Sequence, residues 1–492
     1  MPFESGNYDY NLYYTGDAAA RARLGELSSN YGAKGDYYIN SLTFNSTGVS
    51  GAVAPTEWNL LSNFTTEVTA SSGDVVVINN LSGSLINYQA GDFTVYTNIE
   101  NSSAVAKLNL GTAGMTLFGV SLGAQVPRLV MDMNAVITGN LSVSNQSVLL
   151  IRSGTTTVSN TLEVISDSEE VARSAKVQID DGAKLVANGG TMNIRNLGIV
   201  DVDGTIAGKA GIIIYGNGVM NVAGTLDRTE ANLRIKDNGY LSVTGNYVGN
   251  TNKGIYIENT SGTNGGLAEF SGNTNFYVLD VLGTLKQISG EETTFLATSR
   301  FGTNSVFKTS AENLIIKNST TTIENGNSSF VVEGVDSKIS LNNGTLIIAK
   351  ENAITGTNGN NVVLSTVANS QNNTVTLNSS QTFSKVWANG ADITIILNSS
   401  AKLFADFEAT QNNKIKIYNF AEDSIFVANY ADIDDVNNIF VAYSDNGTTI
   451  ISQLYINSNG WLTALVPEPA QWATILGALT ISLIIIRRKK SL

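Results

Sequence analysis

Three observations predict an all-β chain built as a parallel β-helix, or solenoid, with irregular repeats of about 20–22 residues, plus a C-terminal transmembrane helix. Short β-branched runs alternate with Gly, Asn and Asp; a Gly-turn unit recurs; and one charge-free segment near the end is stopped by four basic residues. The chain divides accordingly into residues 1–35, an N-terminal cap or incomplete start; 36–370, the solenoid body; 371–465, a C-terminal β region or cap; and 466–492, a tail with its helix at 470–486.

Within 1–35 the only helical signal is at 17–27, where Asp17 stands as N-cap before Ala18, Ala19 and Ala20. The body then carries runs such as 75–78 (VVVI), 147–151 (SVLLI), 211–215 (GIIIY), 313–316 (NLII), 344–348 (GTLII) and 393–397 (ITIIL). Their length and branching favour strands, and the separators favour turns that need positive φ.

The repeat is clearest over 177–245, where an apolar-polar-apolar run, a Gly turn and a second apolar run recur. Gly182, Gly204 and Gly224 stand 22 and 20 residues apart, and Gly283 and Gly344 carry the same local pattern. One coil cannot bury its apolar edge alone, so coils must stack, with turn asparagines pairing their amides from coil to coil. Coils of about 21 residues project to roughly 20 coils and a rod on the order of 100 Å. The competing architecture is an antiparallel sandwich, which also places short strands at close intervals. In 371–465 the repeat weakens and aromatic residues gather, among them Trp387, Phe404, Phe407, Tyr418, Phe426 and Phe440.

The tail has three parts in order. Pro467, Glu468 and Pro469 form a stiff extended segment that contains two of the chain's five prolines. Residues 470–486 carry no charge and would cover about 25 Å as a helix, near the lower limit for a bilayer core. Arg487, Arg488, Lys489 and Lys490 follow as a membrane stop that stays on the cytoplasmic side. This order resembles the PEP-CTERM sorting signal of Gram-negative bacteria. The resemblance implies an exosortase-like membrane processing enzyme as partner and a single-pass inner-membrane intermediate. It further implies a mature protein at the cell envelope, on the outer surface or extracellular. The body, in its Gly-rich coils, resembles autotransporter passengers, although no barrel-forming strands follow it. Residues 1–29 lack both the basic and the apolar region of a signal peptide, so the expectation is an initiator placed too far downstream or a missing first segment.

Composition narrows the chemistry. Charged residues are 14% of the chain against the roughly 25% usual in globular proteins, so uncharged polar side chains must cover the surface. With 29 Lys plus Arg against 42 Asp plus Glu, and no basic stripe outside the tail, nucleic acid is not an expected partner. The chain has neither His nor Cys, which removes disulfides, Cys/His zinc sites and triads with an imidazole base. No cofactor is expected, and no metal site or catalytic residue is assigned.

The densest carboxylates are Asp180 with Asp181, Asp201 with Asp203, and Asp434 with Asp435. On a strand, Asp201 and Asp203 would share one side and could offer oxygens to a cation, but short carboxylates at turns more often hold their own backbone. Lys176 and Arg195 lie close enough in sequence to allow a lyase-like group with this acidic cluster. The expectation is a noncatalytic cell-surface or extracellular-matrix protein, structural and adhesin-like, that meets extracellular polysaccharide or further copies of itself. The alternative is a β-helix polysaccharide lyase or glycoside hydrolase.

Overall fold

A computed structural model of the chain describes residues 134–465, apart from 138–139, 145–147, 167–173, 261–264, 335–336, 357–361, 399, 411, 434, 446 and 452. It also describes the backbone of the strands from Asp36–Ile39 to Arg128–Asp132, and the isolated Leu476 and Thr480. The helix expected at 17–27, the motif Pro467-Glu468-Pro469, nearly all of the span at 470–486 and the stop Arg487 to Lys490 lie outside the described residues. Among the described residues no helix is long and apolar enough to cross a membrane.

The body is a parallel β-solenoid. One coil illustrates it: Ile199–Val202 lies on a first face, Thr205–Ala207 on a second and Gly211–Tyr215 on a third, and Val219–Val222 then returns to pair in parallel with Ile199–Val202. Repetition yields sheets of 13 strands on the first face and 15 on the third; the second face is divided into sheets of 10 and eight. Antiparallel pairing occurs near both ends, between Val75–Asn79, Leu85–Gln89 and Asp92–Tyr96, and between Leu454–Ile456 and Leu462–Ala464. The sandwich alternative is excluded for the described body by this parallel register.

The core follows from period-two alternation stacked in register. On the first face Val177, Val200, Met220, Leu241, Ala268, Leu285, Phe307, Phe330 and Ile354 are Cα partners in succession, and all are buried. Each backbone amide bonds to the coil above or below, so the apolar ladder is held without any disulfide.

Coil length differs from the expectation of 20–22 residues. Met192 and Ile212 are partners 20 residues apart, whereas Leu162 and Met192 are partners 30 apart. A solenoid fixes which residues stack, not how much chain the corners hold, so loops lengthen some coils freely. The 15-stranded sheet extends about 70 Å at the usual strand spacing, in place of the projected 100 Å.

The glycine repeat also divides among corners. Gly204, Gly224 and Gly245 form one ladder, where a Cβ on Gly224 would fall 2.0 Å from the Gly204 carbonyl oxygen. Gly182, with φ of +76°, belongs to a longer turn in which Ala183, not Gly182, lies beneath Gly204. Gly283 precedes a first-face strand, and Gly344 precedes a third-face strand. The same short pattern therefore marks three different corners.

Two changes of cross-section interrupt the stack. The second face breaks between Asn246–Val248 and Thr274–Phe276, and there Tyr247, Phe270 and Phe276 fill the interior with ring centroids 5.0–6.4 Å apart. Arg228 is buried beside this break, donating to the carbonyls of Ala210 and Asn232, and burial lowers its pKa to about 10. The first face ends at Ile354–Gly356. The buried Gln381 side chain then accepts from Ile354 N and donates to Ile354 O, doing with an amide side chain what a strand backbone did in earlier coils. The third-face sheet nevertheless continues through 371–465, as far as Phe440–Ala442.

Candidate functional site

A recess lies at the corner between the third and first faces. From Ile199–Val202 to Ser329–Val332 the residue just before each first-face strand is Gly198, Gly218, Gly239, Gly266, Gly283, Ser305 and Ser328 in turn. The following strand's first amide donates to the corner residue of the coil before, as in Tyr240 N to Gly218 O, Leu267 N to Gly239 O and Val306 N to Gly283 O, each 2.9 Å. Coils approach so closely here that a Cβ at Gly239 would lie 2.2 Å from the Ile214 carbonyl oxygen. The preceding residue turns the chain in the left-handed region, at Asn217 (φ 64°), Asn238 (φ 64°) and Asn304 (φ 65°), a conformation that Asn tolerates better than most residues.

Two successive corners break this row: eight residues, 259–266, lead from Gly254–Glu258 to Leu267–Phe270, and the next corner is short. Only Leu282 and Gly283 connect Val278–Val281 to Thr284–Gln287, where the coils at Asn217 and Asn238 use three residues. A groove of about 880 Å³ lies at these corners. Exposed Asn217 and Asn238 border one end and exposed Asn304 the other; Tyr240, Leu267, Leu282 and Thr284 line the part between, along with Gly239, Gly265, Gly283 and Asn259. None of these residues carries a charge at neutral pH. The amides of Asn217, Asn238 and Asn304 make no side-chain hydrogen bond among the described residues.

Just beyond the groove, Tyr240 donates to Glu269 at 2.7 Å, and Lys286 reaches the same carboxylate at 2.9 Å. Partial burial acts to raise the Glu269 pKa, but the hydrogen bonds from Lys286 and Tyr240 and the Lys286 charge outweigh it and hold the carboxyl below its usual range. Burial, then the bond to Glu269, raises the Tyr240 pKa.

Other outward charges pair across coils. Arg300 lies between Asp280 (2.8 Å) and Glu324 (2.7 Å), Glu258 takes both Arg234 (2.5 Å) and Lys236 (3.3 Å), and Lys308 meets Glu333 at 2.7 Å. These half-exposed pairs contribute little stability singly, but opposite charges on successive coils disfavour a slipped register.

The acidic residues singled out from sequence do not converge on one site. Asp201 pairs with Lys176 at 2.7 Å and accepts from Asn221 at 2.8 Å, while Asp203 is exposed at the next corner. Arg195 is on the third face, 3.8 Å from Glu163, so it does not join Lys176 in a lyase-like group. Asp180 accepts from Gln178, and Asp435 caps the short helix Val436–Ile439 through Asn437 N; Asp434 lies outside the described residues. Among the described residues no three carboxylates come together as a group able to hold a metal ion.

A second uncharged surface lies on the third face. In four successive strands the outward pairs are Thr320 and Thr322, Thr345 and Ile347, Thr374 and Thr376, then Thr394 and Ile396, in Cα register. Amide pairs stiffen its margins: Asn343 donates to Asn318 at 3.0 Å, and Asn398 to Asn378 at 2.7 Å.

The groove was not singled out from sequence. Its signal was present as Asn followed by Gly or Ser at Asn217, Asn238 and Asn304, but the shortening at Leu282 is visible only when coils are aligned by structure. Comparison with protein-family models, curated proteins and solved structures finds no match for this chain.

Proposed function

We propose that the chain is a noncatalytic structural and adhesive protein of the cell surface or extracellular matrix. In this reading the solenoid is a stiff spacer that offers uncharged polar faces to polysaccharide or to neighbouring copies. Pro467, Glu468 and Pro469 address it to an exosortase-type enzyme, residues 470–486 hold it in the membrane until processing, and Arg487 to Lys490 stop its transfer. The observation that supports the scaffold role best is the outer surface. The groove is lined by Asn, Gly, Thr, Tyr and Leu, and the carboxylates Asp201, Glu258, Glu269 and Asp280 are each tied to a basic side chain. Most glycoside hydrolases need two carboxyls held apart in separate acid and base roles, and no such pair lines the groove among the described residues.

The address is tested by expressing the chain in a PEP-CTERM-bearing host behind a functional export signal. The protein is expected in the envelope fraction, with a size shift that disappears when Pro467, Glu468 and Pro469 are all replaced by Ala; unchanged processing refutes the sorting role. Incubation with neutral and acidic polysaccharides is expected to leave their chain length unchanged. Reproducible shortening would make the protein a β-helix lyase or hydrolase.

A further inference from the structure

We infer that the corner groove between Asn217 and Asn304 is a binding cleft for an uncharged polysaccharide chain. The inference rests on the scaffold reading and gives it one defined contact.

The lining selects the chemistry. An Asn amide offers two N–H donors and a carbonyl acceptor, the mixed complement that sugar hydroxyls require. Three such amides, on Asn217, Asn238 and Asn304, are exposed and free of other side-chain bonds among the described residues. Between them the half-buried Tyr240, Leu267 and Leu282 provide apolar surface suited to the C–H face of a pyranose ring. A volume of about 880 Å³ is in the range of small-molecule sites, and the groove crosses five coils, about 19 Å along the axis. An extended chain of several sugar units fits this shape better than a single compact ligand.

Charge argues against the acidic alternative. Among the described residues the groove has no cation in its lining, and the chain as a whole carries a formal charge of -13, so a polyanion would be repelled without local compensation. Preorganisation favours binding. The left-handed turns fix the asparagine backbones, the glycine ladder holds the coils at hydrogen-bonding distance, and Glu269 restrains the Tyr240 hydroxyl, so little freedom is left to lose.

The test is affinity electrophoresis of the full chain in mild detergent through gels containing dextran, a soluble β-1,3-glucan, xyloglucan or polygalacturonate. Retardation is expected in at least one neutral gel and not in polygalacturonate. The double substitution Asn238→Gly with Asn304→Gly removes two amides while keeping residues that accept positive φ. It should weaken retention about tenfold or more, the equivalent of one to two net hydrogen bonds, with an unchanged melting temperature. Thr225→Ala, on the outward side of the second face, should leave retention unchanged.

The inference is overturned by passage through every neutral gel without delay, by retention in polygalacturonate alone, or by a double variant that binds as tightly as the parent. It is overturned equally if Thr225→Ala weakens binding as much. Those results leave the scaffold reading standing, because envelope sorting and the absence of cleavage are measured separately. Shortening of the retained glycan would remove the noncatalytic reading and this inference with it.

Discussion

Gly239 and Ser305 occupy equivalent corner positions in the solenoid, yet one coil admits no side chain and the other admits a hydroxymethyl group. At Gly239 an added Cβ would lie 2.2 Å from a backbone oxygen that already accepts no freedom to move, since its coil is hydrogen-bonded on both sides. Gly239→Ala is therefore expected to destabilise the fold by about 1–3 kcal/mol, the usual range for overpacking, measured by urea denaturation. Glu269 makes a different residue-scale prediction. Its folded pKa lies below the usual 4.5, so the folded chain binds that proton less tightly than the unfolded chain does. Its stabilising contribution is complete above the usual value and is lost as pH falls through the folded pKa. Melting temperatures of the parent and Glu269→Gln should differ at pH 7, and the difference should close as pH falls below 4.5. A constant difference would mean that the carboxylate does not take part through its charge.

Among the elements, the middle coils are held by a column of phenylalanines drawn from all three faces. Phe307 is fully buried, with ring centroids 5.5 Å from Phe295, 5.2 Å from Phe301 and 4.5 Å from Phe330. The same coils carry buried Thr293, Ser299, Thr309 and Thr321, whose small side chains leave room for the rings within a cross-section that stacking keeps nearly constant. Phe307→Ala should cost about 3–5 kcal/mol in chemical denaturation, because the coils above and below prevent collapse into the cavity. The strands themselves were legible: 75–78, 211–215, 313–316 and 393–397 each fall in a strand of the structure. The corners were less so. Gly182, Gly283 and Gly344 look alike in sequence because all three permit tight turns, but which strand each turn introduces depends on stacking. The importance of Leu282 was hidden for the same reason, since a corner is short only by comparison with neighbours some twenty residues away.

For the whole molecule, the open end of a parallel stack is a hazard, because its last strands present unpaired backbone to any other edge. Here the end of the second-face sheet at Ile425–Val427 is partly covered. Val427 N donates to Gly460 O at 2.8 Å, Phe426 and Trp461 form an antiparallel bridge, and the Trp461 ring packs on Phe404 and Phe426 at 5.6 and 5.3 Å. Lys402 lies over the same indole, and the neighbouring Leu462 is fully buried. Trp461→Ser combined with Leu462→Asp should detach this cover and produce association that grows with protein concentration, read by sedimentation velocity. A variant that sediments as the parent does at every concentration would show that the edge is protected by something else.

The sequence by itself determined the all-β class, because short β-branched runs divided by Gly, Asn and Asp suit strands and turns. Its recurring Gly unit pointed to stacked coils, while the parallel register that excludes a sandwich came from the tertiary structure. The proposed sorting address rests on sequence alone, on the order of Pro467-Glu468-Pro469, the uncharged run 470–486 and Arg487 to Lys490. Tertiary structure alone decided the register of coils as different as 17 and 30 residues, the pairing of Asp201 with Lys176 and of Glu269 with Lys286, and the recess at Leu282. These are relations between residues on different coils, and the length of chain spent in each corner sets which of them meet.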